Sequence, residues 1–472
     1  MSAAVVWLRR DLRLADNPAL RAAVAAGGPV VVLFIRDAAV DGLGAAAKWR
    51  LGAGLAVLGR ALEAKGSRLI LRSGPALEVL RAVIAETGAG AVHWNRLYDP
   101  ASIDRDGAVK AALKARGIAV VSHAGQLLCE PWTVETGAGG PYRVFTPFWK
   151  AVRDRDPGAP LAEPGRLEPP ATWPASETLD DWQMAAAMRR GAGIVALHSA
   201  PGEAAARERF AAFLEDGVAR YPGRRDRVAE DGTSLMAEYL ALGEVSVRVL
   251  WAAARRRMEE GDKGAEAFLR QLVWRDFAYH LMYHTPRLLS GNWREEWDAF
   301  GWETDPDHPH VLAWRQGRTG VDFVDAAMRE MYVTGRMHNR ARMIAASYLT
   351  KHLLVHWKLG MAWFADCLTD WDPANNAMGW QWVAGSGPDA APYFRIFNPD
   401  GQAEKFDPTG AYRRRWIAEG QADPPETALQ FFAAVPESWA LSPRQVRPGP
   451  IVGLAEGRAR ALAAYERMKT AS

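Results

Sequence analysis

The sequence predicts an α/β domain followed by an all-α domain, on the basis of two observations. Residues 1 to about 130 alternate short β-branched runs with alanine-rich stretches of helical periodicity, which is typical of a doubly wound parallel sheet. After Glu203 the pattern is helical almost to the end of the chain. A length of 472 residues also exceeds one average hydrophobic core, so two domains are expected.

The α/β domain is predicted from five strands and the helices between them. The predicted strands are Val5–Leu8, Val30–Ile35, Leu69–Arg72, Val92–Trp94 and Ala119–Ser122. The predicted helices are Asn17–Ala26, Lys48–Lys65, Ala76–Thr87 and Ile103–Ala115. Neither Gly-x-Gly-x-x-Gly nor a phosphate loop ending in Gly-Lys-Ser/Thr follows any of these strands. Their absence argues against a dehydrogenase or a nucleotide hydrolase.

The middle of the chain has a different composition. Between about residues 131 and 200 it is rich in Pro, Gly and mixed charge, with little periodicity, and we expect a long connection on the surface. We therefore divide the chain into residues 1–130, 131–200 and 201–472. Helices predicted in the last part include Ala204–Arg220, Val245–Glu259, Gly264–Tyr283, Val321–Thr334, Met337–His356 and Gly360–Leu368.

Composition indicates a soluble protein. The formal charge of +3 is too small to indicate a nucleic-acid partner, so any basic face must be local. Cys129 and Cys367 have neither metal-ligand spacing nor a disulfide framework, which fits a reducing cytoplasm and predicts no metal site. Charged residues follow directly on Trp7-Leu8, where a signal peptide needs its apolar region, and Ala22–Ile35 is broken by Gly-Gly-Pro. We expect a cytoplasmic protein that does not enter the membrane.

The stretch from Asp366 to Lys405 combines acids, amides and tryptophans where an ordinary core would use aliphatic residues. Asn376 and Trp380 are four residues apart, so on a helix they share one face, while Trp382 points to nearly the opposite one. An amide and an indole could therefore face one ligand, and a second indole could face another cavity.

Another predicted helix places Asn339, Arg342 and Met343 on one arc. An amide, a guanidinium and a thioether there could contact a flat heterocycle. The same pattern also fits a helix with solvated arginines and a core methionine, and taken alone it favours that interpretation.

A further helix has a broad face, spread over roughly 120°, that mixes an amide, a stacking surface and a charge. Such residues are suited to stacking on a base and steadying a phosphate. An amphipathic helix with an aromatic core explains them about as well. The residues are Phe268, Gln271, Trp274 and Arg275.

Two acids and one loop have several interpretations. Asp370 and Asp372 could cap the next helix, pair with a cation such as Arg342, or ligate a metal. The metal is the weakest option because no histidine lies at ligand spacing.

Tyr221 and the run Gly232–Leu235 precede a helical pattern and could bind an anion such as a pyrophosphate. A simple helix N-cap is the leading interpretation from the local sequence alone.

Taken together, these segments resemble the photolyase/cryptochrome family of flavoproteins. The resemblance runs from Val-Trp-Leu-Arg-Arg-Asp-Leu-Arg-Leu near the start to Ala-Pro-Tyr-Phe-Arg-Ile-Phe-Asn-Pro, and its most specific parts are Gly335–Arg340 and Asn375–Trp382. Within the family the chain is most similar to bacterial class I cyclobutane pyrimidine dimer photolyases. The resemblance implies a Rossmann-like antenna domain followed by a helical FAD-binding domain.

The resemblance also implies a site for FAD in a bent form. Asn376 would lie by the reactive nitrogen of the flavin, where a neutral amide favours the fully reduced form, whereas plant-type cryptochromes have an acid there. The residues implied to bind the cofactor are Tyr221, Thr233, Ser234, Leu235, Met236, Ala237, Phe268, Arg342, Asp370, Trp371, Asp372 and Asn376.

Two further sets of residues follow from the resemblance. An electron relay from the flavin to the surface is implied through Trp380, Trp357 and Trp302. The loop after Trp302 is slightly longer than in typical relatives, so Trp314 is an alternative member.

A pocket for the DNA lesion is implied, with two arginines among the phosphate contacts. Its residues are Gln271, Trp274, Asn339, Met343 and Trp382, with Arg340 and Arg395 for the phosphates.

The chain departs from the family pattern in two places. Gln271 stands where cyclobutane dimer enzymes usually have Glu, and an amide can hydrogen-bond but cannot donate or accept a proton as a carboxyl can. The usual Thr-Ser-Arg-Leu-Ser run appears as Thr233–Ala237, which removes a charge and a hydroxyl near the FAD phosphates. Backbone amides can still bind the phosphates, so FAD binding is expected.

The function implied is that of a light-driven lyase, which acts as a monomer and repairs pyrimidine dimers in double- or single-stranded DNA. Its implied catalytic residues are Trp380, Trp357, Trp302, Gln271 and Asn376. A cryptochrome-like photoreceptor without repair activity is the alternative. Gln271 supports it, and Asn376 and Met343 argue against it. A flavin-binding relative with neither activity is favoured only by the altered Thr233–Ala237 run. Tyr98–Ser102 lacks the Asn-Glu pair of folate-binding relatives, so a deazaflavin, folate or flavin antenna, or an empty pocket, is left open.

Overall fold

The structure, a computed structural model, describes residues 2–389, 393 and 395–471. Its N-terminal part contains a parallel sheet of five strands in the order β3-β2-β1-β4-β5. All five strands were predicted from the sequence to within two residues at each end. They are β1 Ala4–Leu8, β2 Val30–Arg36, β3 Leu69–Ser73, β4 Ala91–Asn95 and β5 Ala119–His123.

Helices cover both faces of this sheet because the central strands are apolar on both sides. In β1 every residue is buried, with Val6 packing among the helices of one face and Val5 and Trp7 among those of the other. The predicted doubly wound fold is therefore confirmed. The helices are α1 Pro18–Ala25, α2 Ala38–Asp41, α3 Ala45–Glu63, α4 Ala76–Thr87 and α5 Pro100–Lys114.

The connection between the two parts contains a helix that the sequence analysis missed. Helix α6 spans Phe145–Val152, and its buried residues follow the spacing of an amphipathic helix. The expectation of an irregular surface segment was wrong here, because surrounding prolines and glycines obscure a helix of only eight residues. A shorter helix, α7, spans Gly191–Ala196.

The rest of the chain is helical, as predicted. Two predicted helices are shorter than expected, since each ends in a wider π-helical segment, at Phe213–Gly217 and Tyr348–His352. Within the described ranges, no helix has both the length and the apolar composition that crossing a membrane requires. The helices are α8 Glu203–Ala212, α9 Tyr221–Arg224, α10 Ala237–Leu242, α11 Val247–Glu259, α12 Gly264–His284, α13 Pro309–Arg315, α14 Asp322–Thr334, α15 Asn339–Ser347, α16 Trp357–Cys367, α17 Pro373–Ala384, α18 Pro399–Phe406, α19 Ala411–Trp416, α20 Glu426–Ala434 and α21 Leu454–Ala471.

The arginine-rich segment after β1 joins the two parts. Arg10 donates hydrogen bonds to the carbonyl oxygens of Ala241 at 3.0 Å and Trp371 at 3.2 Å. On α3, the fully buried Arg50 binds both carboxylate oxygens of Glu244. Removing one member of such a buried pair leaves an uncompensated charge and costs several kcal/mol. The sheet therefore has a fixed position on the helical part, next to the start of α17.

Candidate functional site

The start of α17 gathers charged residues that the sequence analysis singled out. Asp372 caps the helix by accepting the backbone N–H of Asn375 at 2.9 Å, as expected. It also accepts the hydroxyl of Tyr279 at 2.5 Å and lies 3.8 Å from the guanidinium of Arg10. Burial alone would raise the pKa of Asp372, but the charges of Arg10 and Arg275 outweigh burial and lower it. The carboxylate is therefore ionised and held rigidly.

Asp370 makes the ion pair that was one of its predicted alternatives. The Nη2 of Arg342 donates to its Oδ2 at 2.7 Å, and the Nε of Arg342 donates to the carbonyl of Met337 at 2.7 Å. The other carboxylate oxygen, Oδ1, is buried and has no hydrogen-bond partner in the described part of the chain. A buried acceptor of this kind needs a donor, and a bound polar heterocycle can supply one.

Asn376 and Trp380 share a face of α17, as the spacing predicts. Both are buried, and the Nδ2 of Asn376 donates to the carbonyl of Asp372 at 3.0 Å. Gly360 of α16 makes room for the indole, because a Cβ there would lie 2.1 Å from the ring of Trp380. Trp382 is only partly buried and packs against the same hydrophobic cluster that contains Trp380. Trp380 is therefore enclosed within the protein, whereas Trp382 is partly accessible to solvent.

The loop before α10 does not form the expected side-chain N-cap. The helix starts at Ala237, with Met236 as a cap residue that provides no side-chain hydrogen bond. Instead, Arg209 of α8 donates to the carbonyl oxygens of Thr233 at 2.9 Å and Ser234 at 3.3 Å. The backbone N–H groups of residues 233–235 donate no hydrogen bond to any described residue. This is the arrangement needed to bind a phosphate through main-chain amides.

Arg209 was not among the predicted site residues, because it lies on another helix and acts on the loop through carbonyl oxygens. Its guanidinium also pairs with Asp231 at 2.6 Å. Tyr221 and Phe268, two further predicted cofactor residues, are buried with ring centroids 6.1 Å apart and a near-perpendicular arrangement. Burial raises the pKa of Tyr221 to about 12, so its hydroxyl stays protonated.

The predicted lesion pocket draws on three packed helices. Helix α17 packs against both α12 and α15. On α15, the Nδ2 of Asn339 lies 3.8 Å from the sulfur of Met343, so the amide and the thioether of the predicted arc lie side by side. On α12, Gln271 is partly exposed and its side chain reaches only the carbonyl of Ala267, at 3.5 Å. Its amide is therefore weakly held and free to bind a ligand.

Other residues of this region have partners that the sequence did not indicate. Trp274 stacks on Phe145 of the connection, and Arg340 pairs with Asp226 at 2.9 Å. Arg275, which we considered for a phosphate contact, is buried and donates to the carbonyl of Gln126 at 2.9 Å, which fits the alternative of a residue inside the helical core. Arg395 is exposed, whereas Ala390, Ala391, Pro392 and Phe394 of the same motif lie outside the described residues.

The proposed relay tryptophans belong to one hydrophobic cluster. Trp357 is fully buried and donates its indole N–H to Asn292 at 2.8 Å. The ring of His356 lies 5.4 Å from Trp357 and 4.9 Å from Trp302, measured between centroids. Trp314, the alternative member, lies 6.0 Å from Trp380 in an edge-to-face contact. The structure therefore keeps both Trp302 and Trp314 as candidates for the relay.

The segment considered for an antenna is used within the fold. Tyr98 is buried and donates its hydroxyl to Glu130 at 2.7 Å, while Asp99 caps α5 by accepting the N–H of Ser102 at 2.9 Å. In the residues that the structure covers, no three His, Cys, Asp or Glu side chains are grouped as metal ligands.

The structure combines a parallel α/β domain with a helical domain that has buried acids, an amide and aromatic rings around α17. In the loop before α10 it also has main-chain N–H groups without a partner among the described residues. These features define a protein that binds a flavin nucleotide. The buried Asp370 oxygen and the free amides of residues 233–235 both fit FAD. A family described as DNA photolyase matches residues 4–165, and one described as the FAD-binding domain of DNA photolyase matches residues 268–467.

Full-length relatives agree with these matches. A deoxyribodipyrimidine photo-lyase of Agrobacterium fabrum is 44% identical, over 98% of each chain. The crystal structure of a bacterial class III photolyase from Agrobacterium tumefaciens superposes with a TM-score of 0.92 at 43% identity, covering 100% of this chain and 98% of that one. Cryptochrome-2 of Arabidopsis thaliana is 37% identical, over 88% of this chain and 70% of its own length. The chain belongs to the photolyase/cryptochrome family, as the sequence indicated.

Proposed function

We propose that the chain is a deoxyribodipyrimidine photo-lyase, which uses light and reduced FAD to split cyclobutane pyrimidine dimers in DNA. The observation that supports this most is the arrangement around α17. Asp370, which pairs with Arg342, Asp372, which caps α17, and the buried amide of Asn376 lie at the start of this helix. Trp382, further along the same helix, is partly exposed. A cofactor and a DNA lesion can therefore occupy neighbouring sites.

When bound, FAD would supply the isoalloxazine ring, which absorbs light, donates an electron to the dimer and takes the electron back once the cyclobutane of the dimer has opened. The residues of the chain position the isoalloxazine ring and tune its electronic properties. Arg342 and Asp370 orient it with hydrogen bonds, and Asn376 avoids placing a negative charge against its reduced form. The N–H groups of residues 233–235 bind the phosphates.

For the lesion, Trp274 and Trp382 offer flat surfaces and Met343 offers a soft one, while Asn339 and Gln271 can hydrogen-bond the pyrimidine carbonyls. A dimer leaves the duplex at lower cost than an intact base because its pairing is already weakened. Arg340 and Arg395 contact phosphates, so binding should weaken as salt increases.

Finer assignments are also proposed. The similarity to the class III enzyme of Agrobacterium tumefaciens supports class III, in place of the class I expected from the sequence. We propose a cytoplasmic monomer that acts on double- and single-stranded DNA, with the division at residues 1–130, 131–200 and 201–472. A second chromophore, a deazaflavin, folate or flavin, would appear as an absorption band beyond that of FAD in the purified protein.

The direct test is a repair assay. The purified protein is chemically reduced, mixed with an oligonucleotide that contains one cyclobutane dimer, illuminated with blue light, and assayed for loss of the dimer. We expect light-dependent loss, with none in the dark and no change in an undamaged oligonucleotide. Absence of repair despite bound, reduced FAD would favour the cryptochrome-like photoreceptor, which Gln271 supports. Purified protein that takes up no FAD would contradict both.

A further inference from the structure

The three tryptophans proposed for the relay differ in what their indole N–H groups contact. Trp380 and Trp302 are buried, and neither indole N–H has a hydrogen-bond partner among the described residues. Trp357 is fully buried, and its N–H donates to Oδ1 of Asn292 at 2.8 Å. Within the part of the chain that the structure covers, only the middle member of the proposed relay therefore has an acceptor.

An acceptor at the indole N–H makes a tryptophan easier to oxidise. The oxidised ring carries a positive charge, which makes its N–H a stronger donor, so the bond to a carbonyl oxygen strengthens when the electron leaves. A ring without such a partner keeps its positive charge in an apolar interior, which is unfavourable. A positive charge should therefore be more stable on Trp357 than on Trp380.

The amide of Asn292 is itself polarised by a carboxylate. Its Nδ2 donates to Oδ1 of Asp298 at 2.8 Å, and the other oxygen of Asp298 accepts a hydrogen bond from Arg287. The bond from Asn292 is the largest of the causes that lower the pKa of Asp298, so this carboxylate is ionised at neutral pH. Linked hydrogen bonds strengthen one another, and donation to an anion increases the negative charge on the amide oxygen. Asn292 is therefore a better acceptor for Trp357 than an isolated amide would be.

The position of Asn292 is fixed from α17. Gln381 is fully buried, accepts the backbone N–H of Trp293 at 2.7 Å, and donates to the carbonyl oxygens of Leu288 at 2.8 Å and Gly291 at 3.0 Å. These bonds hold the chain on both sides of Asn292. The acceptor is therefore in place before any charge arrives, and little reorganisation is needed when it does.

One nearby charge acts in the opposite direction. The ammonium of Lys358 lies 5.8 Å from the centre of the Trp357 ring and disfavours a positive charge there. Lys358 is exposed, so water and salt screen its field. The bond between Trp357 and Asn292 joins two buried side chains and is screened much less. The hydrogen bond should therefore outweigh the lysine.

We propose that Asn292 is a positioning residue of the relay, which holds the positive charge on Trp357 and away from Trp380. This inference rests on the proposed function, specifically on the tryptophan relay. In the step, one electron passes from Trp357 to oxidised Trp380, whose own electron has gone to the photoexcited oxidised flavin. No bond breaks and no proton leaves Trp357, because the amide oxygen of Asn292 accepts a hydrogen bond but is too weak a base to take the proton.

The test uses the full chain loaded with oxidised FAD and carrying Trp302→Phe, which ends the relay at Trp357. Time-resolved absorption after a laser flash follows the lifetime of the separated charges, which recombine from the fraction of positive charge that returns to Trp380. Asn292→Leu removes the acceptor and should shorten this lifetime by about ten-fold, equivalent to about 1.4 kcal/mol. Asp298→Asn keeps the acceptor but removes the charge behind it, and should shorten the lifetime to a smaller extent.

A further variant separates this role from a purely structural one. Asn292→Asp places a carboxylate that can take the indole proton, so the radical cation of Trp357 should become a neutral radical with a different visible spectrum. Because a proton then moves, formation of the neutral radical should slow in D2O. Asn95→Leu is the matched control and should leave the lifetime unchanged. Asn95 is as buried as Asn292 and also donates to a carboxylate, that of Asp11 at 2.7 Å, but it lies in the sheet.

An unchanged lifetime in Asn292→Leu would overturn the proposal, as would equal losses in Asn292→Leu and Asn95→Leu. A radical cation that persists in Asn292→Asp would also overturn it, and this variant and Asp298→Asn decide the question if Asn292→Leu does not fold. If Trp302→Phe with Asn292 intact gives no tryptophan radical, the relay and this inference fail together. Repair of dimers by chemically reduced protein does not use the relay, so the repair assay tests the proposed function separately.

Discussion

Phe145 lies face to face with Trp274, with ring centroids 3.6 Å apart and an interplanar angle of 8°. Phe145 belongs to α6 in the connection, whereas Trp274 is a predicted member of the lesion pocket on α12. The stack covers one face of the indole and fixes its orientation, which leaves the other face for a ligand. The segment between the domains therefore helps to build the proposed pocket.

Replacing Phe145 with Leu should weaken binding of dimer-containing DNA. An aromatic pair contributes about 0.5–1.5 kcal/mol beyond its buried area, so the Kd should rise by roughly 2- to 13-fold. The measurement is fluorescence anisotropy with a dimer-containing oligonucleotide at several salt concentrations, and the salt dependence should not change because no phosphate contact is lost.

Phe148→Leu is the matched control for this prediction. Phe148 lies on the same helix and is as buried as Phe145, at 2% exposure for both, but its ring contacts Phe277 and His280. Both substitutions should lower stability to a similar extent, and only that of Phe145 should lower affinity. Equal losses of affinity in the two variants would show that the effect is general destabilisation.

The route of the relay can be decided with two tryptophan substitutions. Trp357→Phe should slow light-driven reduction of oxidised FAD by about ten-fold or more, equivalent to about 1.4 kcal/mol in the barrier. Trp314→Phe should have little effect, although Trp314 lies 6.0 Å from Trp380. The rate is followed by flavin absorption under blue light with an external reductant. The opposite ranking of the two variants would assign the relay to Trp314.

The amide of Asn376 is predicted to favour the fully reduced flavin. Asn376→Asp would place a carboxylate at that position, and repulsion between like charges should lower the equilibrium yield of fully reduced FAD by about ten-fold, or about 1.4 kcal/mol. Spectroelectrochemical titration of the purified protein measures this yield. Asn398→Asp is a suitable control, since Asn398 is the N-cap of α18 and Asp caps a helix equally well. A similar shift in both variants would contradict a local role for Asn376.

The fold could be predicted from the sequence because its signals are local. Strands such as Val30–Arg36 are buried along almost their whole length and have the composition of a central parallel strand. Helix α17 begins at an Asp-Pro pair, in which Asp caps the helix and Pro occupies its first position. The helix cap made by Asp372 and the ion pair of Asp370 with Arg342 were among the predicted alternatives for the same reason, since both acids stand directly before α17 in the sequence.

Other parts of the site depend on contacts between distant segments and could not be predicted. Arg209 fixes the carbonyl oxygens of Thr233 and Ser234 from α8, and nothing near Arg209 in the sequence indicates that role. For Arg275 the helix pattern left two alternatives, and burial with the hydrogen bond to Gln126 fits the one that places it inside the protein. The hydrogen bond from Trp357 to Asn292 joins residues that are far apart in the chain.

Lys351 provides a prediction about pH. It is 2% exposed and donates to the carbonyl oxygens of Tyr393 at 2.8 Å and Arg395 at 3.1 Å, so it holds the segment that carries a proposed phosphate contact. Burial, with a smaller contribution from the charge of Arg395, lowers the pKa of Lys351 from 10.5 to about 7. In the unfolded chain the ammonium keeps its proton up to about pH 10.5.

Between pH 7 and 10.5 the unfolded chain therefore binds a proton that the folded protein does not, so this group makes the free energy of unfolding rise with pH in that window. Below pH 7 both states are protonated, and the cost of burying the charge is greatest. Lys351→Met removes this dependence. Relative to the variant, the wild-type protein should gain about 2–4 kcal/mol between pH 7 and 9.5, as measured by urea unfolding. The lost hydrogen bonds add a difference that does not vary with pH, so the slope isolates the titration. Lys114→Met, at an exposed position, is the control and should show no such slope. If the difference between the wild-type protein and Lys351→Met does not vary with pH, the folded protein holds Lys351 charged at pH 9.5, which would contradict the prediction.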